Sequence, residues 1–372
     1  MILHIVPDSI FINMAYQMFE KVDPNNHKFI MINNEEEIKY LKEIPIIKIS
    51  LDEFLSDTFI KNLSKYECVI LHFLDSAKIK LVLNSSQEIN FCWIGWGADY
   101  YNYINKNLLL PKTKLLKSQY ENKSLLESIK NKIKVFFIKE ESKINRLFNK
   151  INYFAPVLAN EYDLMPKNFK PKYLEWNYGT LEIFTQGLNK SLINGINILL
   201  GNNGTYENNH LEIFEILKKI NFKNQKIICP LSYGDSNYIN IIRKEGKKVK
   251  NFQPLLEFMD LQTYNKVLLS CSIVIMNHIR QQALGNIHTM MYLGAKIFLN
   301  KQNPIYQHLK ELGAVIFCME ELNTKTIQIN LSKSEIEINK RVVYKYLNEK
   351  EMIKKTQIML NIIKGNKSYD YI

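Results

Sequence analysis

The stretch "INILLGNNGTYENNHLEIFEILKKI", residues 196–220, sets a short apolar run against a segment whose apolar residues recur at helical spacing, with a Gly- and Asn-rich seam between them. A chain with only 13 glycines places two of them in the seam 201–210, beside four asparagines and a histidine. Gly and Asn tolerate the left-handed backbone that a tight strand-to-helix reversal needs, so a plain turn accounts for the composition. The same seam can also cradle an anion, because a Gly-bearing turn and the free N–H groups of a helix start converge there. It matches neither the dinucleotide fingerprint nor the P-loop pattern, and on these residues alone both readings stand.

Outward from this seam the pattern repeats. Short apolar runs alternate with amphipathic stretches, as in parallel sheets covered by helices. In the first half the strand candidates are "ILHIV", "KFIMI", "IPIIKI", "CVILHFL" and "NFCWIGW", with helices such as "SIFINMAYQMFEKV" and "LDEFLSDTFIKNLSKY" between them. After "INYFAPV" the cycle restarts with "INILLG", "QKIICPL", "KVKNF", "CSIVIM", "AKIFLN" and "AVIFC". A chain of 372 residues exceeds what one hydrophobic core supports, so two α/β domains are expected. The expected boundaries are 1–185 for the first domain, 186–345 for the second and 346–372 for a C-terminal helix. In such sheets ligands sit outside the carboxyl ends of the strands, which directs attention to "VPDS" (6–9), "WGADYY" (96–101), "PLSYGD" (230–235), "NHIRQQALGNIH" (277–288) and "NKQNP" (300–304).

The charge balance narrows the partners. Lys and Arg total 49 against 37 Asp and Glu, a formal net charge of +12, which favours anionic partners: nucleic acid, a membrane face or a phosphorylated substrate. From Lys112 to Lys150 eleven basic residues stand against four acidic ones, so this insert alone carries 11 − 4 = +7. Leu125, Leu126, Ile129, Ile133, Phe136, Phe137 and Leu147 recur in it at helical spacing. That describes either a basic amphipathic helix docked on an anionic bilayer or a helix packed on its own domain with a solvated lysine face. A nucleic-acid binder would spread its charge across both halves with interleaved aromatics, which this chain does not do. The five cysteines stand singly in apolar runs and are expected to be reduced core residues, as in a cytoplasmic protein. No leader peptide is expected, and no run reaches the roughly 18 apolar residues of a membrane span.

Several residues carry candidate chemistry. Arg280, straight after an apolar strand, offers a planar donor fork for a diphosphate, and Gln281 and Gln282 can bond sugar hydroxyls or an acetamido group. Trp96 and Tyr101 supply flat faces for sugar rings, and Asp8 and Asp99 are acidic rim residues either of which could take a proton from an acceptor hydroxyl. Each also has a structural reading, as a helix or turn cap. There is no DxD pair, HExxH, GxSxG or Walker A lysine, so no metal is expected. A departing diphosphate would then be stabilised by Arg, backbone N–H groups and a helix dipole.

Taken together, "WGADYY", "GNNGTYENNH", "PLSY", "RQQALGNI" and "LNKQNP" resemble the bacterial 4-acetamido-4,6-dideoxygalactose (Fuc4NAc) transferases, glycosyltransferase family 56, known from enterobacterial common antigen assembly. The resemblance spans nearly the whole chain and is strongest from about residue 195 to 310. It implies an α/β GT-B architecture, two Rossmann-like domains facing a central cleft. It also implies transfer of Fuc4NAc from dTDP-Fuc4NAc to an undecaprenyl-diphosphate-linked saccharide by a peripheral protein on the cytoplasmic face of the inner membrane. Position by position it implies a nucleotide-sugar site at Gly201, Asn202, Asn203, Gly204, Asn208, His210, Tyr233, Gln281, Gln282, Gly285 and Asn300. Asp8, Asp99 and Arg280 are implied as the catalytic set, with no cofactor, and the resemblance favours the anion cradle over the plain turn. A sugar-nucleotide epimerase of the same fold and a basic nucleic-acid-binding protein are the rival readings.

Overall fold

Seven β-strands of the first half form one parallel sheet: β1 (Ile2–Val6), β2 (His27–Ile32), β3 (Ile46–Ile49), β4 (Cys68–His72), β5 (Phe91–Ile94), β6 (Tyr153–Ala155) and β7 (Lys172–Tyr173), in the order β3-β2-β1-β4-β5-β6-β7. Six strands of the second half form another: β8 (Asn197–Leu200), β9 (Ile227–Pro230), β10 (Phe252–Leu255), β11 (Cys271–Met276), β12 (Lys296–Leu299) and β13 (Phe317–Cys318), in the order β10-β9-β8-β11-β12-β13. β1, β4, β5 and β12 are buried along their whole length, the condition that apolar, β-branched runs meet in a sheet covered on both faces. The computed structural model describes residues 1–33, 37–105, 107–124, 133–188 and 193–365.

The chain divides into two compact units. Unit 1 comprises 1–106, 129–180 and 349–372; unit 2 comprises 107–128 and 181–348. Two features of this division were not legible in the sequence. The basic stretch 112–150, expected as one piece of the first domain, is shared between the units. Its first helix, Pro111–Ser124, joins unit 2 because Leu110 N–H donates to Asn209 Oδ1 (2.8 Å), Thr113 donates through N–H and Oγ1 to Glu212 (3.0 and 2.7 Å), and Lys112 pairs with Glu215 (3.0 Å). Its second helix, Ile133–Lys150, belongs to unit 1, where Leu147 and Phe148 are buried and Arg146 donates to Leu83 O (3.4 Å). Leu125, Leu126, Ile129, Lys130 and Lys132 lie outside the described residues, as do the side chains of Ile133, Lys134, Phe136 and Phe137. The C-terminal helix Glu349–Ile363 returns to unit 1 and packs on the helix Ile10–Val22, held by Lys21–Glu349 (2.6 Å) and Lys364–Asp23 (2.5 Å).

Local departures have local causes. The helix expected over 51–66 breaks into Leu51–Phe54, Asp57–Asn62 and a 3-10 turn, because Ser56 caps a new start by accepting from Phe59 N–H (3.2 Å). The strand expected at 248–252 begins where that run ends, after Asn251 at φ +62°, and its Pro254 is tolerated because β10 is an edge strand. β6 and β7, three and two residues long, fall in a stretch that the sequence presents as a connection.

Candidate functional site

In unit 2 the strand order reverses between β8 and β11, and the loops leaving their carboxyl ends meet. This is where open α/β sheets place ligands. Gly201 follows β8 at φ +67°, and a Cβ there would lie 2.6 Å from His210 Nε2 and 2.7 Å from Asn208 Oδ1, so only glycine fits. Gly204 bridges Gly234 of the next loop: its N–H donates to Tyr233 O (2.8 Å), and Asp235 N–H donates to its carbonyl (3.0 Å). Gly234 sits at φ +135° with a would-be Cβ only 2.4 Å from the Gly204 backbone. It is a member of the site that the sequence reading passed over inside "PLSYGD", although a glycine between Tyr and Asp was the available signal.

Asn208 is the hub. Its Oδ1 accepts from Asn202 N–H (3.0 Å) and lies 2.9 Å from His278 Nε2, while its Nδ2 donates to Asn203 Oδ1 (2.7 Å). His278 Nε2 also meets Asn202 Oδ1 (3.1 Å), to which Gln282 Nε2 donates (2.9 Å). Both oxygens facing His278 Nε2 are amide carbonyls, so that nitrogen carries the hydrogen and Nδ1 is left as a bare acceptor. Three buried atoms of this cluster find no partner among the described residues: His278 Nδ1, Gln282 Oε1 and His210 Nε2. A buried polar atom left unpaired costs about 1–3 kcal/mol, so the cluster is prepared to bond something else. Two of the three are acceptors, which suits donor groups such as sugar hydroxyls or an amide N–H.

The imidazoles are neutral at ordinary pH. Burial pushes His210 down to about 3, and burial, reinforced by Arg280 and His210, holds His278 well below the usual range. A cationic donor on the same loop as His278 is Arg280, whose Nη1 donates to Gln281 O (3.0 Å) and whose guanidinium forms no ion pair among the described residues. Its own carbonyl accepts from Asn303 Nδ2 (3.0 Å), and Asn300 donates to Asn277 (3.0 Å), tying the loop after β12 to the loop after β11. Gln281 is buried. Tyr233 is exposed and accepts from Asn203 Nδ2 (3.4 Å). Gly285 lies in the first turn of the helix Leu284–Tyr292, which Ala283 opens in the left-handed region.

The two carboxylates lie in unit 1 on different strands. Asp8 follows β1 and accepts from the N–H groups of Lys39 (2.6 Å) and Tyr40 (3.0 Å); Ser9, not Asp8, caps the helix at Ile10. It borders a pocket of about 300 Å³ at the ends of β1 and β2, lined also by Asn33, Glu37, Ile38, Asp75 and the buried Lys78, which pairs with Asp75. Asp99 follows β5, and its two oxygens receive three donors: Leu74 N–H (2.9 Å), Trp93 Nε1 (2.8 Å) and Trp96 N–H (2.8 Å). Burial raises its carboxyl, and those donors partly offset the rise. Tyr101, placed by the sequence at the sugar-binding rim, is instead buried and donates to the buried Glu161.

Residues 181–351 match the family model described as 4-alpha-L-fucosyltransferase glycosyl transferase group 56. The match to glycosyltransferase group 56 is carried by unit 2, in which nearly all of those residues lie. The matched residues include every unit 2 loop described above. The fold agrees. A glycosyltransferase from Rickettsia africae ESF-5 superimposes with a TM-score of 0.64 at 15% identity, covering 98% of this chain and 99% of that one. Anabaena HepE, solved with UDP and glucose, gives 0.62 at 9% identity over 97% and 99%. The trehalose 6-phosphate synthase of Burkholderia multivorans gives 0.58 at 6% identity over 98% of each. These likenesses identify the two parallel-sheet units as the GT-B fold. Among the described residues no helix is long and apolar enough to cross a membrane, and no cluster of three His, Cys, Asp or Glu side chains could hold a metal ion.

Proposed function

We propose that this chain is a group 56 glycosyltransferase that moves a 4-acetamido-4,6-dideoxygalactose-like sugar from a dTDP donor to an undecaprenyl-diphosphate-linked saccharide, without a metal ion. The observation that carries the reading is the Asn208 hub, with two buried acceptors and an unpaired imidazole nitrogen at the strand-order reversal of unit 2. An acetamido N–H and ring hydroxyls supply the donors that Gln282 Oε1 and His278 Nδ1 lack. Arg280, with no carboxylate neutralising it among the described residues, is the group to meet the diphosphate, assisted by the helix starts at His210 and Leu284. At the carboxyl rim of unit 1, Asp8 is proposed to hold a hydroxyl of the acceptor beside its pocket. Asp99, committed to three N–H donors, holds Trp96 in place. The excess of +7 in residues 112–150 supports peripheral docking on an anionic membrane face, as on the cytoplasmic leaflet of an inner membrane.

Thermal unfolding with dTDP, UDP, GDP and CMP tests the donor. A nucleotide at about 100 times its Kd stabilises the folded state by about 2.7 kcal/mol, and dTDP is expected to give the largest rise in melting temperature. No rise with any of the four would overturn the nucleotide site. Isomerisation of the donor without an acceptor would instead establish the epimerase reading. Turnover that vanishes with EDTA and returns with magnesium would overturn metal independence.

A further inference from the structure

The first helix of the basic insert, Pro111–Ser124, is built into unit 2, although the chain enters it from unit 1 and returns to unit 1 beyond it. Two sets of contacts hold it there. In the first, the fully buried Thr113 binds Glu212, Lys117 lies over the Tyr206 ring (5.6 Å), and Leu116 packs against the unit 2 core. The second converges on Asn209, whose Oδ1 accepts from Leu110 N–H (2.8 Å) and whose Nδ2 donates to Leu108 O (3.2 Å), just before the helix. Lys112 adds an ion pair to Glu215, but both side chains are about half exposed, where such a pair is worth little.

Asn209 faces two ways. Its Nδ2 also lies 3.3 Å from Asn277 O, and Asn277 Nδ2 donates to Asn209 O (3.2 Å). The next residue of each loop repeats the pairing, because Asn208 Oδ1 receives His278 Nε2. Two neighbouring rungs therefore join the loop after β8 to the loop after β11. One, Asn208–His278, carries the unpaired His278 Nδ1. The other, Asn209–Asn277, carries the segment 108–110 on one side and Asn300 Nδ2, bonded to Asn277 Oδ1 (3.0 Å), on the other. Rigid planar peptide units separate the rungs, so a rotation at one is passed to the other. Asn209 is fully buried at φ +49° and ψ +43°, a left-handed backbone that asparagine adopts more readily than most residues but still at a cost. The bonds from 108–110 to its side chain offset that cost. With the helix undocked, Asn209 loses them, its backbone relaxes, and the Asn208 amide leaves the place where it meets Asn202 N–H and His278 Nε2.

We infer that Asn209 is a positioning residue that couples the first helix of the basic insert to the donor site. The docked helix holds the Asn208–His278 rung in its ligand-binding form; an undocked helix lowers the affinity for the donor. The identity of that donor rests on the transfer reading above. Coupling of this kind is reciprocal, so a bound nucleotide must in turn tighten the helix on unit 2. The insert thus does more than add charge to the surface: whatever draws its first helix off Glu212 and Asn209 loosens the grip on the donor.

The test uses the full chain and three variants. Thr113→Asp sets a second carboxylate against Glu212 and undocks the helix, while an acid in the first turn keeps the helix itself intact. Thr113→Ser keeps the bonding hydroxyl, and Asn209→Gly keeps the left-handed backbone but removes the amide. In the first arm, without ligand, amide hydrogen exchange over 201–210 is expected to quicken about tenfold in Thr113→Asp and Asn209→Gly, with 296–299 in β12 unchanged as the control for global folding. Parent rates over 201–210 in both variants overturn the coupling; should β12 also loosen in Thr113→Asp, Asn209→Gly decides alone. In the second arm, the Kd for dTDP is expected to rise about tenfold in those two variants and to stay at the parent value in Thr113→Ser, and dTDP is expected to slow exchange over 108–116 in the parent protein. A Kd that holds in both Thr113→Asp and Asn209→Gly, or that rises as far in Thr113→Ser, overturns the positioning role, as does a parent helix indifferent to bound dTDP. If dTDP does not bind the parent protein, the nucleotide reading fails on its own, and the first arm still decides the coupling.

Discussion

Acidification should unfold unit 1 by a calculable amount. His4 and His72 are fully buried; burial pushes His72 down to about 3 and, aided by its histidine neighbours, holds His4 well below the usual range. The unfolded chain binds a proton on each near pH 6.5. The folded value is the lower one, so stability is complete above about pH 6.5 and is lost as the pH falls toward 3. At pH 5.5 each unfolded imidazole is about 90% protonated, which costs the folded state RT ln(1 + 10), about 1.4 kcal/mol, or about 3 kcal/mol for the pair. His27 is lowered too, burial outweighing Asp23, and adds to the loss. Asp99, raised by burial, acts in the opposite sense once it begins to bind its proton. All three tryptophans, Trp93, Trp96 and Trp176, lie in unit 1, so their fluorescence reads this unit alone. With a urea slope of about 2–3 kcal/mol per M, the midpoint should drop by about 1–1.5 M between pH 7.5 and 5.5. A midpoint that moves by less than about 0.2 M would show that these rings are not held neutral by the fold.

Four substitutions address unit 2. Arg280→Ala should reduce turnover about tenfold or more, equivalent to about 1.4 kcal/mol of transition-state binding, and full activity would remove Arg280 from the mechanism. Gly234→Ala meets both a positive φ and the Gly204 backbone and should cost about 3 kcal/mol in urea unfolding followed by circular dichroism. Gly313→Ala, also at positive φ but with nothing within 4 Å, should cost about 1 kcal/mol; equal losses would refute the close-approach argument. Asn208→Ala strands the partners of its amide and should lose about 2–4 kcal/mol together with stabilisation by dTDP, and an unchanged nucleotide response would refute its role as hub.

The alternation of buried runs and amphipathic segments is a local property, and it placed β8, its turn and the helix at His210 where the structure has them. The gathering of the unit 2 loops was legible for the same reason: their residues follow strand ends directly. What a linear pattern does not carry is register between strands. His4, His27 and His72 are separated in the chain by 23 and 68 positions from His4, and only the pairing of Ile2 with His27 and of His4 with Ile70 aligns their rings. The split of the basic insert was hidden likewise, since it depends on Thr113 finding Glu212 across 99 positions. The reading of "PLSYGD" as a strand-end loop missed Gly234 because its partner, Gly204, comes from another loop.

The return of the last helix to unit 1 sets an order of events during synthesis. Trp176 Nε1 bonds Thr356 Oγ1 (2.9 Å) across 180 residues, and Met359, Leu360 and Ile363 complete the core that begins with Ile2 and Ile12. A ribosome that has delivered Asn348 has made every residue of unit 2 but has left the older unit with an uncovered apolar face. The first-made half is therefore the last to close, and until it does, its exposed core is the surface a chaperone must guard.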